Sequence, residues 1–365
     1  MLDAIDSARQ YILLEMYLLA SGAVAERFIN ALLQAAERGV RIYLLLDDYG
    51  ARQLGPRDRE QLAHRNIQIV YYNPLSSSIT LYNLYRIVWQ RINHSLYRNH
   101  RKLLLIDGKV AFAGGAGITD EVDAPRKPAM RWRETMIEIK GPVLGDWQQL
   151  FTESWNKYAE QVLTLPMVTP AAFANGQTGR VTVNEARRMT GIQRSLLRHL
   201  KTARHRIWFA TAYFIPSWSI RRKLRRAARS GVDVRLLLPG PITDHPGARY
   251  ASHRYYGRLL KNGIRVYEYT PRFFHAKTVL CDEWVTIGSC NYDRWNLRWN
   301  LEANQEIDDP DMAATIAAMF VNDFTHSLEY TSSEWEQRGW RLRLLAWFWR
   351  RVELLSLKIR HRRRH

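Results

Sequence analysis

Short, continuous apolar runs punctuate this chain. QYILLEMYLL from Gln10, VRIYLLLDD from Val40, NIQIVYY from Asn66 and KLLLID from Lys102 are rich in β-branched and aromatic residues. Such runs predict strands buried on both faces. Between the first two lies a segment with apolar residues at helical spacing, which stops near the glycine of RGV. The second half repeats the order with RIWFATAYFI from Arg206, a helical segment that stops near SGV, then VDVRLLLPG and GIRVYEY. Strands separated by helices predict α/β units on a largely buried sheet.

The two halves align as a duplication. Ser7 matches Thr202, Gly39 matches Gly231, Pro74 matches Pro271, and HRKLLLIDGKVAFAGG from His100 matches HAKTVLCDEWVTIGS from His275. The offset shrinks after Pro74, so the first half carries about 22 extra residues before His100. The expected division is a first lobe over 1–164 with an insert at 75–99, a Pro- and Gly-bearing linker over 165–185, a second lobe over 186–330 and a basic tail over 331–365.

Both halves contain H-x-K-x4-D: His100, Lys102 and Asp107, then His275, Lys277 and Asp282. In a strand, residues i and i+2 share a face, so each histidine points the same way as its lysine. Two lobes meeting about a pseudo-two-fold axis would gather two imidazoles and two ammonium groups around one phosphoryl group. The lysines would compensate its oxygens while the imidazoles attack and protonate. Cys281 lies beside Asp282, but no ligand spacing supports a metal.

At these residues the chain resembles the phospholipase D superfamily and, within it, the short bacterial cardiolipin synthases that lack N-terminal transmembrane helices. The resemblance covers roughly 1–330. It rests on the paired motifs, on GSCN from Gly288 to Asn291, on NLEAN from Asn300 to Asn304 and on WRETMIEIKGP from Trp132 to Pro142. It implies an α/β fold of two pseudo-symmetric phospholipase D-like α-β-α lobes with mixed, largely buried sheets and the active site at the lobe interface. It also implies a ping-pong phosphatidyl transfer that makes cardiolipin from phosphatidylglycerol, alone or with another phospholipid. In that scheme His100 is the nucleophile and His275 the acid and base. Lys102 and Lys277 bind phosphate oxygens, with Asn291 helping. An acidic residue downstream of each motif, Glu134 or Glu302, orients its histidine. Asp107 and Asp282 complete the candidate site, and suit holding strand and loop together better than touching substrate. No cofactor and no metal are implied.

Three positions depart from the family pattern. Gly117 of GGAG stands where asparagine is expected, the loop after Asp282 is one residue short of its first-half counterpart, and Glu134 stands where aspartate is commoner. Other readings stay open: a phospholipase D with water as acceptor, a phosphodiesterase acting on nucleic acid, or a catalytically weak membrane- or DNA-binding protein.

Charge narrows the partner. The chain has 54 Lys and Arg against 35 Asp and Glu, a formal net charge of +19, which favours a polyanion. The tail from Arg338 carries ten Lys or Arg against Glu353 alone, with Leu345, Phe348, Trp349, Val352, Leu355 and Ile359 at helical intervals. That pattern predicts an interfacial helix and tips the choice from nucleic acid toward an anionic phospholipid membrane. The insert, with Leu81, Leu84, Tyr85, Val88 and Ile92 at helical spacing, reads either as a helix packed on the first lobe or as an amphipathic element beside the site. The helix after Pro216 carries six basic residues between Arg221 and Arg229. Two cysteines make no disulfide framework, and no apolar run reaches the roughly 18–20 residues of a membrane span. A cytoplasmic protein peripherally attached to the inner (cell) membrane is expected, with phospholipid as substrate and no obligate protein partner.

Overall fold

The computed structural model describes residues 1–74, 97–123, 131–166, 168, 170–185, 189–293, 296–337 and 339. The predicted helices of the insert and of the basic tail lie outside the described residues. The chain forms two compact units. One holds the described residues of Met1–Ile192, together with Thr286–Cys290 and the stretch that ends at Asp308. The other holds those of Gln193–Val285, residues from Asn291, and the described residues from Asp309 on.

In the first unit, β1 (Tyr11–Met16), β2 (Arg41–Asp47) and β3 (Ile67–Tyr72) run parallel. Antiparallel β4 (Lys102–Ile106) adds beside β1, followed by β5 (Val110–Gly114) and β6 (Met136–Ile139). The order is β3-β2-β1-β4-β5-β6. Every residue of β1 is buried, because the strand is covered on both sides. Its pleat sends Ile12, Leu14 and Met16 into a core with Val24, Ile29 and Leu32 of helix Ala23–Glu37. Tyr11 and Leu13 enter a second core with Trp147, Phe151 and Trp155 of helix Leu144–Tyr158.

In the second unit, β9 (Arg206–Ala210), β10 (Asp233–Pro239) and β11 (Arg265–Tyr269) are parallel, and β12 (Thr278–Cys281) is antiparallel to β9. The series β11-β10-β9-β12 repeats β3-β2-β1-β4 in order and direction. The repeat reaches helix ends. Gly39 and Gly231 both take φ of 88°, and the residue after each donates back five positions, Val40 to Ala35 and Val232 to Ala227. This left-handed cap is what the glycines of RGV and SGV supply. Helices Trp218–Arg229 and Pro246–Leu260 follow β9 and β10, while helix Pro310–Thr325 packs Phe320 and Phe324 on Trp208. Strand β15 (Ser327–Tyr330) closes the sheet beside β11.

The expected linker is in part a strand. Within 165–185, β7 (Thr178–Glu185) pairs along its whole length with β14 (Leu301–Asp308) in the first unit. Val181 and Val183 alternate with polar neighbours there, a period of two that pleats well despite Gly176 and Gly179. The chain enters this partnership through β13 (Trp284–Gly288), so a piece of the second repeat completes the first unit.

Candidate active site

His100 sits just before β4 and is almost wholly buried. Its amide donates to the carbonyl of Leu301, and the amide of Leu301 donates to the carbonyl of Arg98, both at 2.9 Å. That clamp brings Glu302 beneath the imidazole. His100 Nδ1 lies 3.0 Å from Glu302 Oε1, 3.1 Å from Oε2 and 3.0 Å from the carbonyl of Ser289. All three are acceptors, so Nδ1 carries the proton and the ring lone pair resides on Nε2, the tautomer a nucleophile requires. Ser289 Oγ donates to the same Glu302 carboxylate. The carboxylate downstream of the second motif is therefore found on the first motif's histidine, because β14 belongs to the first unit. Sequence order alone had suggested Glu134 for that place.

Lys102 projects on the same side as His100 and donates to the His100 carbonyl at 2.6 Å. Its ammonium lies 5.1 Å from the centroid of Tyr17, whose ring meets the His100 imidazole edge-on at 4.7 Å. Burial pushes the Tyr17 hydroxyl well above its ordinary pKa, so it stays a neutral wall of the site. In the second unit Lys277 makes the matching bond to the His275 carbonyl, and its Nζ also reaches His275 Nδ1 at 2.8 Å and Nε2 at 3.1 Å. His275, Lys277 and Asn291 are all buried. Glu134 is half-buried, with Oε1 accepting from the amide of Thr135.

Asp107 and Asp282 do the same structural work in each repeat. Each has φ of 53° at a hairpin turn. Asp107 accepts from the amides of Arg9, Gln10 and Tyr11, and Asp282 from those of Arg204, His205 and Arg206, all at 2.8–3.0 Å. Burial pushes the Asp282 carboxyl up, but the three amides outweigh it and hold it below the ordinary carboxylate range. These carboxylates tie the turn to the start of the central strand. Three residues separate β4 from β5, and two separate β12 from β13. The residue missing after Asp282 is thus removed from the turn.

Gly117 has a packing cause. A Cβ there would lie 2.8 Å from both Cβ and the carbonyl oxygen of Leu18, because Ile118 donates to Leu18 and draws the segment against it. An asparagine does not fit without backbone movement.

Sequence reasoning missed the polar network that holds His100 from behind. Asn99 and Arg101 flank it, both buried. Asn99 Nδ2 donates to Glu15 at 2.6 Å, while its amide donates to Asp47 at 2.8 Å. Arg101 donates to Ser154 at 2.8 Å and Glu185 at 3.3 Å, and lies 3.7 Å from Glu15. Burial pushes the carboxyls of Glu15 and Asp47 up against the pull of Arg101 and Arg98 respectively. The available signal was a glutamate in the middle of an otherwise apolar buried strand.

A duplicated α/β chain with one buried histidine–lysine pair per repeat has the phospholipase D-like fold. A family model described as cardiolipin synthase, PLD-like domain, matches residues 1–155 and 196–324, and the chain belongs to that family. Cardiolipin synthase 1 of Bacillus cereus is 31% identical over 365 residues, covering 97% of this chain and 69% of that protein. Cardiolipin synthase A of Pseudomonas aeruginosa is 30% identical over 336 residues, covering 92% of this chain and 66% of that one. The crystal structure of phosphatidylserine synthase from Haemophilus influenzae Rd KW20 matches with a TM-score of 0.73 at 12% identity, over 98% of this chain and 91% of that one, a likeness of fold.

Proposed function

We propose that this protein is a phospholipase D-type phosphatidyltransferase that makes cardiolipin from phosphatidylglycerol, alone or with another phospholipid. The observation that carries this reading is the duplicated buried histidine–lysine pair in a chain of the cardiolipin synthase family. In the first half-reaction, Nε2 of His100 bonds to phosphorus as the bond to the glycerol oxygen breaks. His275 gives its proton to the departing glycerol. In the second, His275 takes the proton from the hydroxyl of an incoming phosphatidylglycerol, whose oxygen attacks phosphorus and releases His100. Lys102, Lys277 and Asn291 offset charge on the non-bridging oxygens. Glu302 fixes the His100 tautomer and steadies the imidazolium as it forms, and Glu134 is its first-half counterpart. The protein works on anionic phospholipid, attached peripherally at the cytoplasmic face of the cell membrane.

Phosphatidylglycerol vesicles test the reading. Cardiolipin and free glycerol in equal amounts support it. Phosphatidic acid without cardiolipin overturns transfer in favour of hydrolysis, and DNA cleavage with no lipid product overturns the lipid assignment. His100→Ala and His275→Ala each lower turnover by at least about 10³-fold.

A further inference from the structure

The second unit carries a surface that neither the motifs nor the family membership assigns. Strand pairing places it. Thr278, first in β12, is level with Ala210, last in β9, and Ala210 is level with Leu237 near the end of β10. The loops that leave β9 and β10 therefore depart at the end of the sheet where His275 and Lys277 lead into the return strand. The first loop runs into Trp218, which is 55% exposed, and the second carries Ile242, which is 45% exposed.

Trp218 opens helix Trp218–Arg229, whose cap is Ser217 accepting from Ile220. The helix buries Ile220, Leu224 and Ala227. Its exposed stripe is Trp218, Arg222, Arg226 and Arg229, spaced at helical intervals. The Arg222 guanidinium lies 5.1 Å from the Trp218 ring centroid. Lys223 is held below its ordinary pKa by burial and then by Lys201, Arg226 and Arg222, so like charges crowd here. Across the β9–helix segment and the loop after β10, Asp244 is the one acid, and it is occupied by the Tyr213 hydroxyl at 2.6 Å.

We propose that this rim, Trp218 and Ile242 at one end of the sheet with the Arg222–Arg226–Arg229 stripe running back from Trp218 along the helix, docks on an anionic phospholipid bilayer. An aromatic and an aliphatic side chain held out to water beside a cationic stripe match the headgroup–acyl boundary, with the ring and Ile242 in the boundary and the guanidiniums on the phosphates. A nucleic acid would use the arginines and leave Ile242 in water. The proposal rests on the lipid reading of the site, and extends it to the surface by which the substrate is approached.

Co-sedimentation of the full-length protein with phosphatidylglycerol vesicles, and with neutral phosphatidylcholine vesicles as reference, tests it. Binding to the anionic vesicles is expected to weaken with salt. The triple substitution Arg222→Gln, Arg226→Gln, Arg229→Gln should weaken it on the order of 100-fold, and Trp218→Ser roughly tenfold. A control with the same loss of charge, Arg41→Gln, Arg57→Gln, Arg65→Gln at exposed positions of the first unit, should lose much less. Unchanged thermal unfolding of the rim variants shows that the fold is kept. Equal losses in the two triples, or rim variants that bind like the parent, overturn the proposal. So does a loss confined to duplex DNA binding, which would make this a nucleic-acid surface. Co-sedimentation needs no turnover, so absence of cardiolipin synthesis would refute the transferase reading and leave this one standing.

Discussion

Arg101→Met removes the cation that faces Glu15, a fully buried carboxylate that also accepts from Asn99. Removing one member of a buried ion pair costs about 3–5 kcal/mol, because the remaining charge is neither solvated nor compensated. For a unit of this size that is roughly 6–20 °C in Tm. The duplication supplies the control. Glu15 lies opposite Leu103 in the first unit as Ala210 lies opposite Thr278 in the second. The second repeat thus places Ala210, Phe274 and Ala276 where the first has Glu15, Asn99 and Arg101. Replacing a whole buried polar set by apolar residues is often neutral, so Glu15→Ala, Asn99→Phe, Arg101→Ala together should fall within about 2 kcal/mol of the parent. The pH dependence has a definite sign. Burial raises the folded pKa of Glu15, and Arg101 and then Asn99 pull against that rise. A carboxyl raised on folding contributes stability below its unfolded pKa, and that contribution is lost as pH rises through the folded value. Loss of Arg101 raises the folded value further, so the Tm gap between parent and Arg101→Met should widen as pH rises above the ordinary glutamate range. Thermal unfolding followed by tryptophan fluorescence reads both quantities. A gap independent of pH, or a triple variant as unstable as the single, would refute the reasoning.

Three further outcomes follow from the geometry. Glu302→Gln should lower kcat by about 10²–10⁴ with little change in KM, since it removes the carboxylate that fixes and charges against His100; a change in KM alone would show a binding role instead. Asp282→Ala should cost about 2 kcal/mol by urea unfolding through three lost charge-assisted backbone bonds. Because its folded pKa is depressed, the parent's advantage over this variant should be present above the ordinary aspartate pKa and vanish as pH falls through the folded value. Gly117→Asn, which restores the family residue, should destabilise by about 1–3 kcal/mol through the clash with Leu18; a stabilised variant would contradict the packing account.

What could be read in advance was what local patterning controls. The i, i+2 spacing of His100 and Lys102, the buried strand runs and the paired glycines of RGV and SGV each act within a few residues, and each occurs twice. What could not be read depends on where distant segments meet. Glu302 reaches His100 because β14 pairs with β7 in the first unit, a contact across 202 residues. Val181 and Val183 alternate with polar residues, but β14, the strand they pair with, lies far along the chain. Gly117 reads as a bare departure from the family asparagine until Leu18 is seen against it.

The central claim is that the phosphatidyl group passes through His100. Brief incubation with phosphatidylglycerol, a denaturing alkaline quench and peptide mass analysis test it most directly. The account predicts a phosphatidyl adduct on the peptide containing His100, absent in His100→Ala. An adduct on His275 in its place, or rapid cardiolipin synthesis by His100→Ala, would contradict it.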